Sequence, residues 1–193
     1  MLISMRSIFS KYLPVLSTTV VVAVLAGTAA SDLIYAAPAE KQDSIEARLQ
    51  RLEDREEIRQ LLMDYGRFLD QRDFVSFSQL FAEKNGEWVG GMGSAKGPQA
   101  ILKLMEDTIG RNTNKAVSAP NCHLFTNEVI HVKGDTASAI TKWIFAIQGK
   151  DTRPQLFYIG HYEDSMIREK GRWKFLRRVV YGDIPADNPL EKK

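Results

Sequence analysis

The side chains best suited to moving a proton near neutral pH are histidines held by carboxylates, and this chain has three histidines: His123, His131 and His161. His123 enters a segment of alternating apolar residues between Cys122 and Leu124-Phe125, where the imidazole becomes part-buried. A part-buried neutral ring is available as a base, and a nearby carboxylate would fix its tautomer and raise its basicity. Asp70, behind Phe68-Leu69 at the end of a helical pattern, is one candidate carboxylate, although an Asp there can equally point to water. Asp73, three residues on, reads as a helix cap. His131 lies beside a turn and reads as a surface residue. His161 falls in a different segment, so a metal site would require the fold to gather histidines that the sequence keeps apart. Other chemistries leave no trace: there is no C-x-x-C, no G-x-x-x-x-G-K and no G-x-S-x-G.

The elements that must position these groups follow from periodicity. Ile45, Leu49, Leu52, Ile58, Leu61, Leu62, Tyr65 and Leu69 recur at three- and four-residue spacing and predict a long helix from about Ser44 to Leu69. Asp43 with Glu46 has capping-box spacing at its start, and the first turns read as an extension that either projects or folds onto the core. Asp73 opens a short second helix through Phe81, a brief strand follows at Glu87 to Val89, and Pro98 opens a third helix. Beyond Asn114 the period becomes two. His123 to Val132, Ala137 to Gln148, Gln155 to Arg168 and Trp173 to Tyr181 read as four strands, with turn signals at Gly134, Gly149 and Gly171. Helices first and strands after is the α+β pattern, with helices covering one face of a curved antiparallel sheet. The polar stretch from Pro185 reads as a loose tail.

Composition narrows the function classes. Of 193 residues 44% are hydrophobic, and 26 Lys and Arg stand against 24 Asp and Glu, so no basic patch offers itself to nucleic acid. The length fits one domain. Ahead of it, Arg6 and Lys11 precede an uncharged stretch from Val15 to Ala30, then Ala29-Ala30-Ser31 and Ala37-Pro38-Ala39. That order is the pattern of a secretory signal peptide over residues 1–39, cut after Ala30 or Ala39, and predicts a periplasmic or secreted protein. An uncleaved membrane anchor is the competing reading, and the stretch is shorter than the roughly 20 residues a span needs. Cys122 is the single cysteine, so it forms no internal disulfide; it reads as a buried free thiol, with an intermolecular bridge as the alternative.

The segments DYGRFLDQRDFVSFSQLFAE, WVGGMGSAKGPQAI, HLFTNEV and GHYEDSMIREKGRWKFLRRVV, in that order, resemble the SnoaL-like branch of the nuclear transport factor 2-like superfamily. They are also similar to the dehydrochlorinases and dehydratases of that superfamily. The likeness runs from about Ile45 to Tyr181. It implies a cone-shaped α+β barrel in residues 44–181 whose open end receives a small apolar molecule. It further implies an Asp70-His123 catalytic pair, with Trp88 and either Arg178 or Arg177 near the reacting groups. Tyr65 and Tyr162 match pocket-lining positions. Arg178 would stabilise a leaving group or oxyanion, and Trp88, Tyr65 and Tyr162 would contact the substrate. Such a lyase or isomerase needs no metal and no organic cofactor. Homodimers or homotrimers are common in this superfamily, as are members that bind ligands without catalysis, so both an enzyme and a ligand-binding accessory protein remain open.

Overall fold

The computed structural model describes residues 43–110 and 120–191. The predicted signal peptide lies outside these residues. Helix α1 (Ile45–Gln71) is capped by Ser44, whose side chain accepts a hydrogen bond from Ala47 N at 3.2 Å, so the cap falls one residue after the expected Asp43. Ile45, Leu49 and Leu52 are exposed, and burial of the helix begins at Asp54 and Ile58. The first turns therefore extend past the core instead of folding onto it. At the other end Arg72 takes a left-handed conformation (φ 60°) and stops α1. Helix α2 (Phe74–Ser78) starts on Asp73, which accepts from Ser76 N at 3.0 Å as a cap should. Helix α3 (Pro98–Thr108) begins on Pro98.

The four predicted strands are present as β3 (Asn121–Lys133), β4 (Thr136–Gln148), β5 (Pro154–Glu169) and β6 (Arg172–Ile184), an antiparallel meander. Three short strands complete the sheet: β1 (Glu87–Gly90), β2 (Gly93–Lys96) and β7 (Ala186–Asp187). The order is β2-β1-β6-β5-β4-β3, with β7 also on β6. Strand β1 runs parallel to β6, pairing Trp88 with Arg178. The sheet is therefore mixed, not wholly antiparallel, and it is curved and open, not a closed barrel. The expected loose tail also carries structure, since β6 continues to Ile184 and β7 folds back against Gly182 and Asp183.

The helices cover the concave face. Ile58, Leu62 and Tyr65 of α1 pack with Phe77, Phe81, Ile101, Met105, Met166 and Phe175 in one apolar core. Close approach of α1 to the sheet is set by Gly66, where an added Cβ would stand 2.5 Å from the Phe125 ring. Cys122 is free, as expected, but exposed, because its position in β3 has the parity of the convex face.

Candidate functional site

Alternation along the strands stacks inward side chains in rows across the sheet. The deepest row is Trp88, Arg178, Asp164 and Ala139; above it lie Val180, Tyr162 and Thr141. Next come Gly182, Gly160, Trp143 and Phe125, and beyond these Tyr158, Phe145 and His123. At Gly160 an added Cβ would meet the Trp143 ring at 2.4 Å, so glycine there lets the indole lie across the sheet. The upper rows enclose a cavity of about 490 Å³, within the range of small-molecule sites. Its walls are largely aromatic, from Tyr65, Trp88, Trp143, Phe145, Tyr158 and Tyr162, with Leu69 and Val180. Polar groups reach it from Arg72, Asn121, His123 and Asp187.

His123 and Asp70 meet at this cavity. Asp70 Oδ1 lies 2.6 Å from His123 Nδ1, and Asp70 Oδ2 accepts from the His123 backbone N–H at 2.9 Å. The end of α1 is thus fixed to the start of β3 through both carboxylate oxygens. With the carboxylate accepting at Nδ1, the Nδ1–H tautomer follows and Nε2 keeps its lone pair. The imidazole is mostly buried, its side chain 12% exposed, and packs 4.5 Å from the Phe145 ring, centroid to centroid.

Tyr65, Trp88 and Tyr162 all line the cavity. The Trp88 indole N–H donates to the Tyr65 hydroxyl oxygen at 2.9 Å, which leaves the Tyr65 O–H free to donate elsewhere. Burial holds both phenols above their ordinary titration range, Tyr162 by the greater margin, so they stay neutral donors near pH 7.

Arg178 differs from expectation. It is fully buried and does not line the cavity. Its Nε and Nη2 each donate to Asp164 at 2.7 Å, and its guanidinium carbon sits 4.0 Å from the Tyr65 ring centre and 4.1 Å from those of Tyr162 and Phe175. The Tyr65 and Tyr162 rings line the cavity and Arg178 lies against them, so the structure does not bring Arg178 to the position expected for contact with a leaving group. The choice between Arg177 and Arg178 is made by a register shift between β5 and β6 at Ser165/Met166. It skips Leu176, turning Trp173 and Phe175 inward on one side and Arg178 and Val180 inward on the other. Arg177 faces out and pairs with Glu87 at 3.0 Å.

His131 is exposed on β3, as expected. His161 lies outside the cavity, with its Nδ1 2.6 Å from Asp183. Among the described residues no three of His, Cys, Asp and Glu gather as a metal-binding group. Sequence reasoning missed Arg72, Asn121, Trp143, Phe145, Tyr158 and Asp187. Trp143 and Phe145 were within reach, two apart on one strand with the parity that faces His123 across β3. Asp187 carried no such signal, because two residues of strand in a polar stretch have no period.

Residues 50–179 match the profile of the SnoaL-like domain family. An uncharacterized protein of Mycobacterium tuberculosis, Rv2910c, is 30% identical over 130 residues, covering 66% of this chain and 84% of that protein. A nuclear transport factor 2-like protein with a cystatin-like fold from Novosphingobium aromaticivorans shares 29% identity at a TM-score of 0.63, over 72% of this chain and 90% of that one. ActVI-ORFA from Streptomyces coelicolor shares the fold at 20% identity and a TM-score of 0.57, over 66% of this chain and 96% of that one. With its three helices laid on a curved, open, mixed sheet, the chain belongs to the SnoaL-like family of the nuclear transport factor 2-like superfamily.

Proposed function

We propose that the protein is an exported, cofactor-independent lyase or isomerase that abstracts a proton from a small apolar substrate, with His123 as base and Asp70 as its partner. The observation that carries this reading is the double hold of one carboxylate on His123, at Nδ1 and at the backbone, on the wall of an aromatic cavity. Asp70 orients the ring and stabilises the imidazolium formed when Nε2 takes a proton from a substrate carbon. The electron pair of the broken C–H bond moves to an adjacent carbonyl oxygen, or expels a leaving group from the next carbon. Tyr65 donates its O–H to the oxygen that gains charge, and Arg178 behind the ring favours that negative charge. In an isomerisation the imidazolium returns the proton to another carbon; in a dehydration Tyr65 protonates the departing hydroxide and regains a proton from solvent as the imidazolium releases its own. Trp88 and Tyr162 supply apolar and edge contacts to the ligand.

The test is exchange of carbon-bound hydrogen in D₂O, followed by proton NMR, over a panel of cyclic ketones, β-diketones and halogenated cyclohexanes. Wild type should wash deuterium into, or eliminate from, at least one compound. His123→Ala should lower that rate by about 10²- to 10⁴-fold, the usual loss on removing a general base, and Asp70→Asn should lower it heavily. Binding in the cavity without exchange across the whole panel would mark a ligand-binding protein instead.

Export rests on the basic, apolar and small-residue order of residues 1–39. An N-terminus between Ser31 and Glu40 in mass spectra of secreted material would support it, and one at Met1 would refute it. Self-association is the accompanying proposal. The exposed Ile45, Leu49 and Leu52 stripe offers an apolar seam to a second copy, and light scattering at the monomer mass would count against it.

A further inference from the structure

We infer that the cavity takes an acidic ligand, a flat apolar body bearing one carboxylate or enolate, and that Arg72 is the residue that holds its charge. The chemical class deepens the function proposed above and rests on it for the reaction, but the binding argument stands on the cavity itself. Arg72 lies two residues beyond Asp70, at the left-handed position that ends α1. A non-glycine residue with φ near 60° is uncommon, and this one keeps a long cationic side chain where most chains place glycine or asparagine.

Three observations give that side chain a ligand-binding character. It lines the cavity, as His123 does. It is half-buried, so its guanidinium has given up part of its water, and burial holds it below the usual arginine range despite nearby Asp70. Finally, among the described residues no carboxylate forms an ion pair with it, whereas Arg59, Arg67, Arg168, Arg172, Arg177 and Arg178 each have an acidic partner. Of the two acids beside it in sequence, Asp73 caps α2 through Ser76 N, and both oxygens of Asp70 already serve His123. A partly desolvated guanidinium without a partner is costly, and a planar carboxylate fitted to its fork restores what was lost.

The remaining charged and titratable groups facing the cavity agree with one anionic point. Tyr65, Tyr158 and Tyr162 are phenols, and Asp187 enters from β7 as the single carboxylate on the lining among the described residues. Arg72 is the single guanidinium on the lining among the described residues. A ligand whose acid group sits on Arg72 projects its ring among Trp143, Phe145 and Tyr158. Its carbon next to the acid or enol group then lies on the His123 side, where the base would act.

The experiment compares three probes by isothermal titration: 2-naphthoate, its neutral isostere 2-naphthamide, and naphthalene in a cosolvent matched across all titrations. Wild type should bind 2-naphthoate about tenfold more tightly than 2-naphthamide, the low end for a charge-assisted hydrogen bond. Arg72→Gln should bring the two to within about twofold while still binding the amide, and Arg72→Lys should keep part of the preference, since lysine retains the charge but loses the fork. His161→Ala, outside the cavity, should keep it whole. Thermal melting of each variant verifies that the fold is intact, and an Arg72→Gln that fails to fold passes the decision to Arg72→Lys. Equal affinity for the two isosteres in wild type, a preference that survives Arg72→Gln, or no binding of any probe each overturns the inference. An intact anion preference without hydrogen exchange in D₂O defeats the proposed reaction and leaves this assignment standing; exchange without the preference does the reverse.

Discussion

A histidine and a carboxylate 2.6 Å apart occur twice in this protein, as His123 with Asp70 and as His161 with Asp183. The second pair lies outside the cavity, where Tyr181 stacks on the His161 ring and Lys142 also contacts Asp183 at 2.5 Å. Pair geometry therefore does not make a site; enclosure does. His161→Ala should leave hydrogen exchange within about twofold of wild type, against the 10²- to 10⁴-fold loss in His123→Ala, and equal losses would show that the assay follows stability instead. The buried pair beneath the cavity gives a second expectation. Burial drives the Asp164 carboxyl upward, and Arg178 only partly offsets this. Asp164→Asn leaves a guanidinium buried with half its partner gone. It should cost about 3–5 kcal/mol in urea denaturation, and replacing both residues by apolar ones of similar size should cost less.

Ion pairs as well as the apolar core hold α1 to the sheet, Arg59 with Glu128, Glu57 with Arg172 and Asp54 with Arg168. Asp54 on α1 is buried and receives hydrogen bonds from Arg168 on β5 and, at 3.0 Å, from Gln50. Burial opposes its ionisation, but these bonds prevail and hold the carboxyl below the usual range. A carboxyl depressed in the folded state adds stability above its unfolded titration, near 3.9, and loses it as pH falls through the lower folded value. Denaturation midpoints should therefore drop between pH 6 and pH 3 in wild type and drop less in Asp54→Asn. An identical slope in the two would remove Asp54 from the account.

The same scale shows what the sequence could reveal. The long helix, Asp73 and Pro98 at helix starts, and four strands with their turns were legible, because period and turn chemistry are local. The parallel pairing of β1 was not, since four residues carry no information about a partner far along the chain. Nor was the register shift at Leu176, although it decides which arginine goes inside: alternation says that one of Arg177 and Arg178 faces in, and only the neighbouring strand says which. Asp70 and His123 were legible as a pair through family resemblance, while Arg72 was masked by its place in a turn, where charge ordinarily means solvent.

At the scale of the whole molecule the described residues form one sheet with its helices on the concave side, and the cavity is built from nearly every element: α1, β1, the end of α3, the four long strands and β7. The parallel junction has a consequence in time. Glu87 meets Arg177 and Trp88 meets Arg178 across about half the chain, with the whole meander between them. Closing so long a loop is slow compared with zipping adjacent strands, and chains rich in distant pairings fold in milliseconds to seconds instead of microseconds. During synthesis the β1–β2 hairpin that carries Trp88 cannot join the meander until β6 has left the ribosome, so the pocket is among the last features to exist. In a variant with Trp88 as its single tryptophan, stopped-flow refolding should bring the native indole signal no earlier than the far-ultraviolet signal of the sheet. An indole that reaches its native environment first would place β1 in the folding nucleus instead.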